Sequence, residues 1–156
     1  MKTLIIYDSF FGNTEKIAQA IGAALGAQED VGIFRVGNVQ PGQLAGVEML
    51  FVGSPTRQFG PTPAIKSFLQ GIPADGLKGV KATAFDTRLT PSDVKSPVYS
   101  VLAGIFGYAA GPIAKLLKGK GADMVMPPES FTVLASEGPL KEGELARAAE
   151  WAKRSA

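Results

Sequence analysis

The sequence predicts an α/β protein in which helices cover both faces of a parallel, five-stranded sheet. Short apolar runs alternate with amphipathic stretches along the chain, as expected when each strand is followed by a crossover helix. At 156 residues, 46% hydrophobic and 19% charged, the chain has the composition of a globular protein with an ample core. Its best strand, Val47 to Val52, carries the apolar run Met49 to Val52, as strands buried on both faces do.

Thr3 to Tyr7 reads as the first strand. After it, Ile17, Ala20, Ile21, Ala24 and Leu25 recur at spacings of three and four and form one apolar helix face ending near Gly26. Val31 to Val36 reads as the second strand and Val47 to Val52 as the third. A short helix follows Pro61-Thr62-Pro63, with Ile65, Phe68 and Leu69 turned inward, since proline is tolerated in a first turn whose N–H groups lack helical partners. Val80 to Phe85 gives the fourth strand. Pro97 to Leu117 is helical in period, and Gly111-Pro112 predicts two pieces or a sharp kink. Asp123 to Met126 and Ser130 to Leu134, separated by Pro127-Pro128, form an interrupted fifth strand, and Glu142 to Lys153 closes the chain as a helix.

Composition narrows the chemistry. Without cysteine there is no disulfide framework, thiolate metal site or thiol nucleophile, which suits a reducing cytosol. Without histidine there is no Ser-His-Asp catalysis and no His-ligated zinc, so reactivity must come from other side chains or from a bound cofactor. A net charge of +2, with basic residues scattered apart from Lys115, Lys118 and Lys120, gives no nucleic-acid footprint. Met1-Lys2-Thr3 runs straight into Leu4-Ile5-Ile6 without a signal peptide's pattern, so a cytoplasmic protein with no membrane span is expected.

The segment Tyr7-Asp8-Ser9-Phe10-Phe11-Gly12-Asn13-Thr14-Glu15 lies where a buried strand ends and a helix begins. Small and hydroxyl residues there can wrap backbone N–H groups and hydroxyls around a phosphate, whose charge the helix dipole favours. The alternative is a simple helix cap by Asn13 or Thr14. Other phosphate loops fit badly: neither a Gly-Lys-Ser/Thr ending nor Gly-x-Gly-x-x-Gly follows the first strand. The third strand ends Phe51-Val52-Gly53-Ser54 and lacks the aspartate of a phosphorylated receiver domain.

Ser9 to Thr14 resembles the phosphate loop of the flavodoxin family, ordinarily a hydroxyl residue, any residue, Thr, Gly, a variable residue and Thr; Asn13-Thr14-Glu15 matches a common continuation. Phe11 departs from that pattern and removes one hydroxyl contact, while the backbone N–H groups of Phe10 through Thr14 still serve. The resemblance extends to the tail, Pro127-Pro128-Glu129-Ser130-Phe131 and Glu137-Gly138-Pro139-Leu140-Lys141-Glu142-Gly143-Glu144. It implies a single flavodoxin-like domain over 1–156, a three-layer sandwich with strand order 2-1-3-4-5, and FMN at the carboxyl end of the sheet. The phosphate loop then comprises Ser9, Phe10, Phe11, Gly12, Asn13 and Thr14. Pro55, Thr56, Arg57, Gln58, Phe59 and Gly60 follow the third strand at the topological switch point. Thr56 takes the ribityl or phosphate side, and Gln58, Phe59 and Gly60 the ring, where a glycine peptide can turn to answer protonation of flavin N5. Phe59 either stacks on the ring or plugs the core. Asp86, Thr87 and Arg88 form a third loop whose backbone faces the flavin's pyrimidine edge; Arg88 either stabilises the reduced anion or is a surface residue.

No aromatic lies between Asp86 and Lys95 to cover the outer ring face. Pro97 to Tyr108 is apolar nearly all round, more than a helix over a sheet needs, and is expected to be a lid on the flavin, a homodimer contact, a partner-docking patch or a well-buried core helix. The leading functional expectation is an FMN-dependent electron-transfer protein or small flavin oxidoreductase, serving a redox partner protein or a small-molecule acceptor such as a quinone. A pI near 8.9 departs from the strongly acidic character of carrier flavodoxins. The alternative is a flavin-free binding or regulatory module.

Overall fold

The computed structural model describes residues 2–26, 30–40, 42–57, 60–89 and 108–155. The chain order is β1 (Thr3–Tyr7), α1 (Asn13–Ala24), β2 (Val31–Arg35), a 3-10 turn (Val36–Asn38), β3 (Met49–Pro55), α2 (Pro63–Gly71), β4 (Lys81–Arg88), α3 (Ala110–Gly119), β5 (Asp123–Met124), β6 (Glu129–Thr132) and α4 (Glu144–Lys153). All pairings in the sheet are parallel. The order β2-β1-β3-β4-β5 is the expected one, and β6 also pairs with β4. Lys81 and Ala82 pair with β5, whereas Phe85 to Arg88 pair with β6. The two are thus halves of one edge strand, interrupted as Pro127-Pro128 predicted.

Successive side chains leave a strand on opposite faces, and the sheet divides the core accordingly. Leu4, Ile6, Leu50, Val52, Ala82 and Ala84 pack toward α2 and α3 with Ile65, Leu69, Ile113 and Leu117. Ile5, Tyr7, Met49, Phe51 and Phe85 pack toward α1 and α4 with Ile17, Ile21 and Trp151. Phe51, Phe85 and Phe131 stand edge-on to the Trp151 ring, with centroids 5.7, 6.3 and 5.9 Å away. Gly53 makes room for that cluster: a Cβ there would lie 2.1 Å from the Phe85 ring.

Several boundaries differ from the expected ones, each for a physical reason. β3 begins at Met49 and runs on to Pro55, and β4 continues through Asp86-Thr87-Arg88, a segment expected to be loop. Pairing of Ser54 with Asp86 and Pro55 with Thr87 carries both strands past the end of the apolar run. In α1, Ala18 and Gly22 are buried with Ile17 and Ile21, while Ala20, Ala24 and Leu25 lie at the margin of the core. Gly111-Pro112 falls in the first turn of α3, where Pro112 is the third residue and the first helical bond is donated by Ile113 N to Ala109 O at 3.1 Å; the helical piece expected before it lies outside the described residues. In α2, Thr62 caps the helix by accepting from Ile65 N at 3.3 Å, and Pro63 occupies the first position. Of the apolar segment from Pro97, only Tyr108 falls within the described residues; its roles as lid, dimer contact or docking patch lie outside them, as do Gln58 and Phe59.

Candidate functional site

The carboxyl ends of β1, β3 and β4 open on one cleft, lined by Ser9, Phe10, Phe11, Asn13, Thr14, Pro55, Thr56, Arg57, Thr87, Arg88, Leu89, Val133 and Ser136. In a parallel sheet these ends fall side by side, and the order places the reversal of winding at β1 and β3.

The first wall is the turn into α1. Gly12 adopts φ 88°, the left-handed region that glycine enters without Cβ strain, and no side chain caps the helix. Neither Asn13 nor Thr14 is therefore the cap that one reading of the sequence expected. Asn13 Nδ2 donates instead to the Glu137 carbonyl at 3.1 Å. The Thr14 hydroxyl lies 2.7 Å from that of Thr87. The first N–H groups of α1 are left for an external acceptor. Ser9 Oγ accepts from Gly12 N at 3.0 Å, and its own proton remains available to a ligand. In the Thr14–Thr87 pair one hydroxyl donates to the other, so one proton is again free for a ligand.

Arg35 of β2 fixes this turn from outside. Its Nη1 donates to the Ser9 carbonyl at 2.5 Å, its Nη2 lies 3.3 Å from Glu15, and its guanidinium sits 3.6 Å from Asp8 and 5.5 Å from the centre of the Tyr7 ring. Burial and the nearby Glu15 carboxylate push the Tyr7 phenol up, against the opposing charge of Arg35.

The second wall follows β3. Thr56 N donates to the Thr87 carbonyl at 2.9 Å, while Thr56 Oγ accepts from Ala109 N at 3.2 Å and keeps its hydroxyl proton. Arg57 and Gly60 exchange backbone bonds of 2.8 and 3.0 Å. The Arg57 guanidinium lies 5.0 Å from the Phe10 ring centre and 6.0 Å from that of Phe11. Both rings stand at the rim, 53% and 48% exposed.

The third wall is the end of β4, where strand parity turns Thr87 away from Asp86 and Arg88. Thr87 faces α1 and Arg88 lines the cleft. Asp86 is placed apart from it, fully buried on the face that Ala82 and Ala84 share, with Oδ2 accepting from Ala110 N at 2.9 Å. Burial pushes its carboxyl up to about 6, against the attraction of Arg88. Arg88 Nε approaches Asp86 Oδ1 at 3.7 Å, too far for a hydrogen bond, and its guanidinium covers the Tyr108 ring at 3.7 Å.

Of the residues the sequence proposed, the structure gathers Ser9, Phe10, Phe11, Asn13, Thr14, Pro55, Thr56, Arg57, Thr87 and Arg88 on the cleft, with Gly12 making the turn beneath it. Arg35, Leu89, Val133 and Ser136 went unrecognised. The Glu137-Gly138-Pro139 tail carried the one available signal, and it proves to press on the phosphate-type loop: a Cβ on Gly138 would meet the Asn13 amide at 2.7 Å. Among the described residues no cluster of carboxylates suits a metal ion, and no helix is long and apolar enough to cross a membrane.

Comparison with known proteins places this geometry. No curated protein sequence matches the chain. Among solved structures, it is similar to flavodoxin 2 from Bacillus cereus, with TM-score 0.78 and 21% identity over 99% of this chain and 97% of that one. A flavodoxin from the domain Archaea superposes with TM-score 0.72 and 19% identity over 97% of this chain and 94% of that one. Rubredoxin oxygen:oxidoreductase from Desulfovibrio gigas gives TM-score 0.72 and 20% identity, with 97% of this chain covering 34% of that one. The sequence model of the flavodoxin family matches residues 5–151, and with that span, the parallel sheet and the cleft at its switch point, the chain belongs to the flavodoxin family.

Proposed function

We propose that this chain, folded as one domain, binds FMN in the cleft and passes electrons to a redox partner protein or a small-molecule acceptor in the cytoplasm. Flavodoxins are FMN-binding proteins that transfer electrons to redox partners. The observation that carries the reading for this chain is the hydroxyl pair of Thr14 and Thr87, 2.7 Å apart at the N-terminus of α1. It sets two hydroxyls and a row of helix N–H groups on one spot, a donor set suited to a phosphate dianion.

The residues present fit that cofactor. Ser9 and one hydroxyl of the Thr14–Thr87 pair offer protons at the phosphate end, with the α1 dipole and the Arg57 charge favouring an anion there. Thr56 offers its hydroxyl to the ribityl chain, and Gly60, Gln58 and Phe59 are assigned to the ring. Thr87 and Arg88 close the side toward β4. Bound FMN supplies the redox chemistry; the protein binds it, orients it and limits its contact with water.

The test is to incubate purified protein with FMN, riboflavin or FAD, desalt it and record the visible spectrum. Retention of FMN with loss of riboflavin is the expected result, because only a phosphate-reading site separates the two. Desalted protein without flavin absorbance would overturn the reading.

A further inference from the structure

Among the described residues, three buried polar atoms beside the cleft stand without a hydrogen-bond partner: Asp86 Oδ1, Arg88 Nε and Tyr108 OH. Buried polar groups are almost always paired, so such a cluster calls for an explanation. Arg88 is the link, since it lines the cleft while its Nε lies 3.7 Å from Asp86 Oδ1. We propose that Asp86 and Arg88 couple proton uptake to anion binding, so that the cleft binds a phosphate-bearing ligand more tightly when Asp86 is neutral. This rests on the reading of the cleft as an FMN site.

The argument follows from charge. With Asp86 ionised, its buried carboxylate neutralises part of the Arg88 field and repels a second anion across the guanidinium. With Asp86 protonated, the full Arg88 charge faces the cleft. The other groups facing Asp86 among the described residues are few. From β6 come Glu129, which raises its proton affinity and is itself tied to Arg147 at 3.2 Å, and the Ser130 hydroxyl, which opposes that effect. From α3 comes the Ala110 N–H. The Tyr108 ring lies against Arg88. Burial already holds the carboxyl near about 6, where a modest change in local charge alters its occupancy at physiological pH. Because coupling is reciprocal, binding of the anion draws a proton onto Asp86. Asp86 is thus a positioning residue that acts through Arg88 and does not touch the ligand.

The experiment is FMN titration of the intact protein and of Asp86→Asn from pH 5 to pH 8, followed by flavin fluorescence. The phosphate of FMN titrates near pH 6 by itself, so the comparison uses the ratio of the two dissociation constants, from which ligand titration cancels. Asn mimics the neutral acid. The variant is expected to bind about fivefold more tightly than the parent at pH 8 and equally at pH 5. Calorimetry of the unmodified protein in two buffers of different ionisation enthalpy should show proton uptake beyond that of the same protein with Arg88→Gln, a readout that survives if Asp86→Asn fails to fold. FMN binding with one pH profile in both Asp86 forms, or with equal proton uptake in both Arg88 forms, overturns the coupling while leaving the FMN site intact. Absence of FMN binding at every pH overturns the site and the coupling together.

Discussion

Replacing Asp86 by Asn should stabilise the fold at neutral and alkaline pH. Asp86 is fully buried, and burial outweighs the attraction of Arg88 and the bond from Ala110 N, so its carboxyl is pushed up to about 6. An unfolded aspartate titrates at about 3.9. The folded chain therefore holds the proton across the interval between those values while the unfolded chain has lost it. Stability from this group is fully present below the unfolded value and falls as pH rises through the folded one. At 1.36 kcal/mol per pH unit, the interval corresponds to about 3 kcal/mol, the net cost of keeping the ionised form inside the fold. Asn keeps an oxygen for Ala110 N and carries no charge, so the variant should gain up to about 3 kcal/mol at pH 8 and nothing at pH 4. Urea unfolding of both proteins at pH 4, 5, 6, 7 and 8 measures the difference directly. A variant less stable than the parent at pH 8, with the deficit shrinking toward pH 4, would refute the reasoning and show that the Arg88 pair outweighs desolvation.

Other predictions test the remaining supports. Burial pushes the Glu144 carboxyl up, but hydrogen bonds from Arg147 and Thr132 N outweigh it and leave the group below its ordinary range, so its stabilisation is present above about pH 4.3 and is lost on acidification. Glu144→Gln should cost about 1–2 kcal/mol at pH 7 by urea unfolding, with the difference shrinking toward pH 3. Gly53→Ala places a methyl 2.1 Å from the Phe85 ring and should cost about 3 kcal/mol, read as a lower thermal midpoint. Thr14→Val removes a hydroxyl from the phosphate end and leaves that of Thr87 without its partner, so FMN affinity should fall about tenfold or more while riboflavin affinity holds.

How far the sequence disclosed this molecule depends on the range of the interactions involved. The strands and helices were legible because apolar periodicity is local, and the turn Ser9 to Thr14 was legible because glycine and small polar residues there separate a buried strand from an amphipathic helix. Asp86 shows where such reading stops. In a loop it would have shared the cleft with Thr87 and Arg88, but pairing with β3 and β6 extends β4 through all three, and strand parity then turns Asp86 to the face opposite Thr87, buried beside Arg88. Polar residues at a strand end carry no apolar alternation to disclose that extension. Arg35 escaped for a related reason: it lies 26 residues from Ser9 in the chain, and only the β1–β2 register brings its guanidinium to that carbonyl. The tail tells the same story from the other side. Glu137 and Gly138 look like punctuation before a helix, yet they brace Asn13 from more than 120 residues away. A substitution in that tail should therefore disturb the loop assigned to the phosphate, a coupling that only the fold reveals.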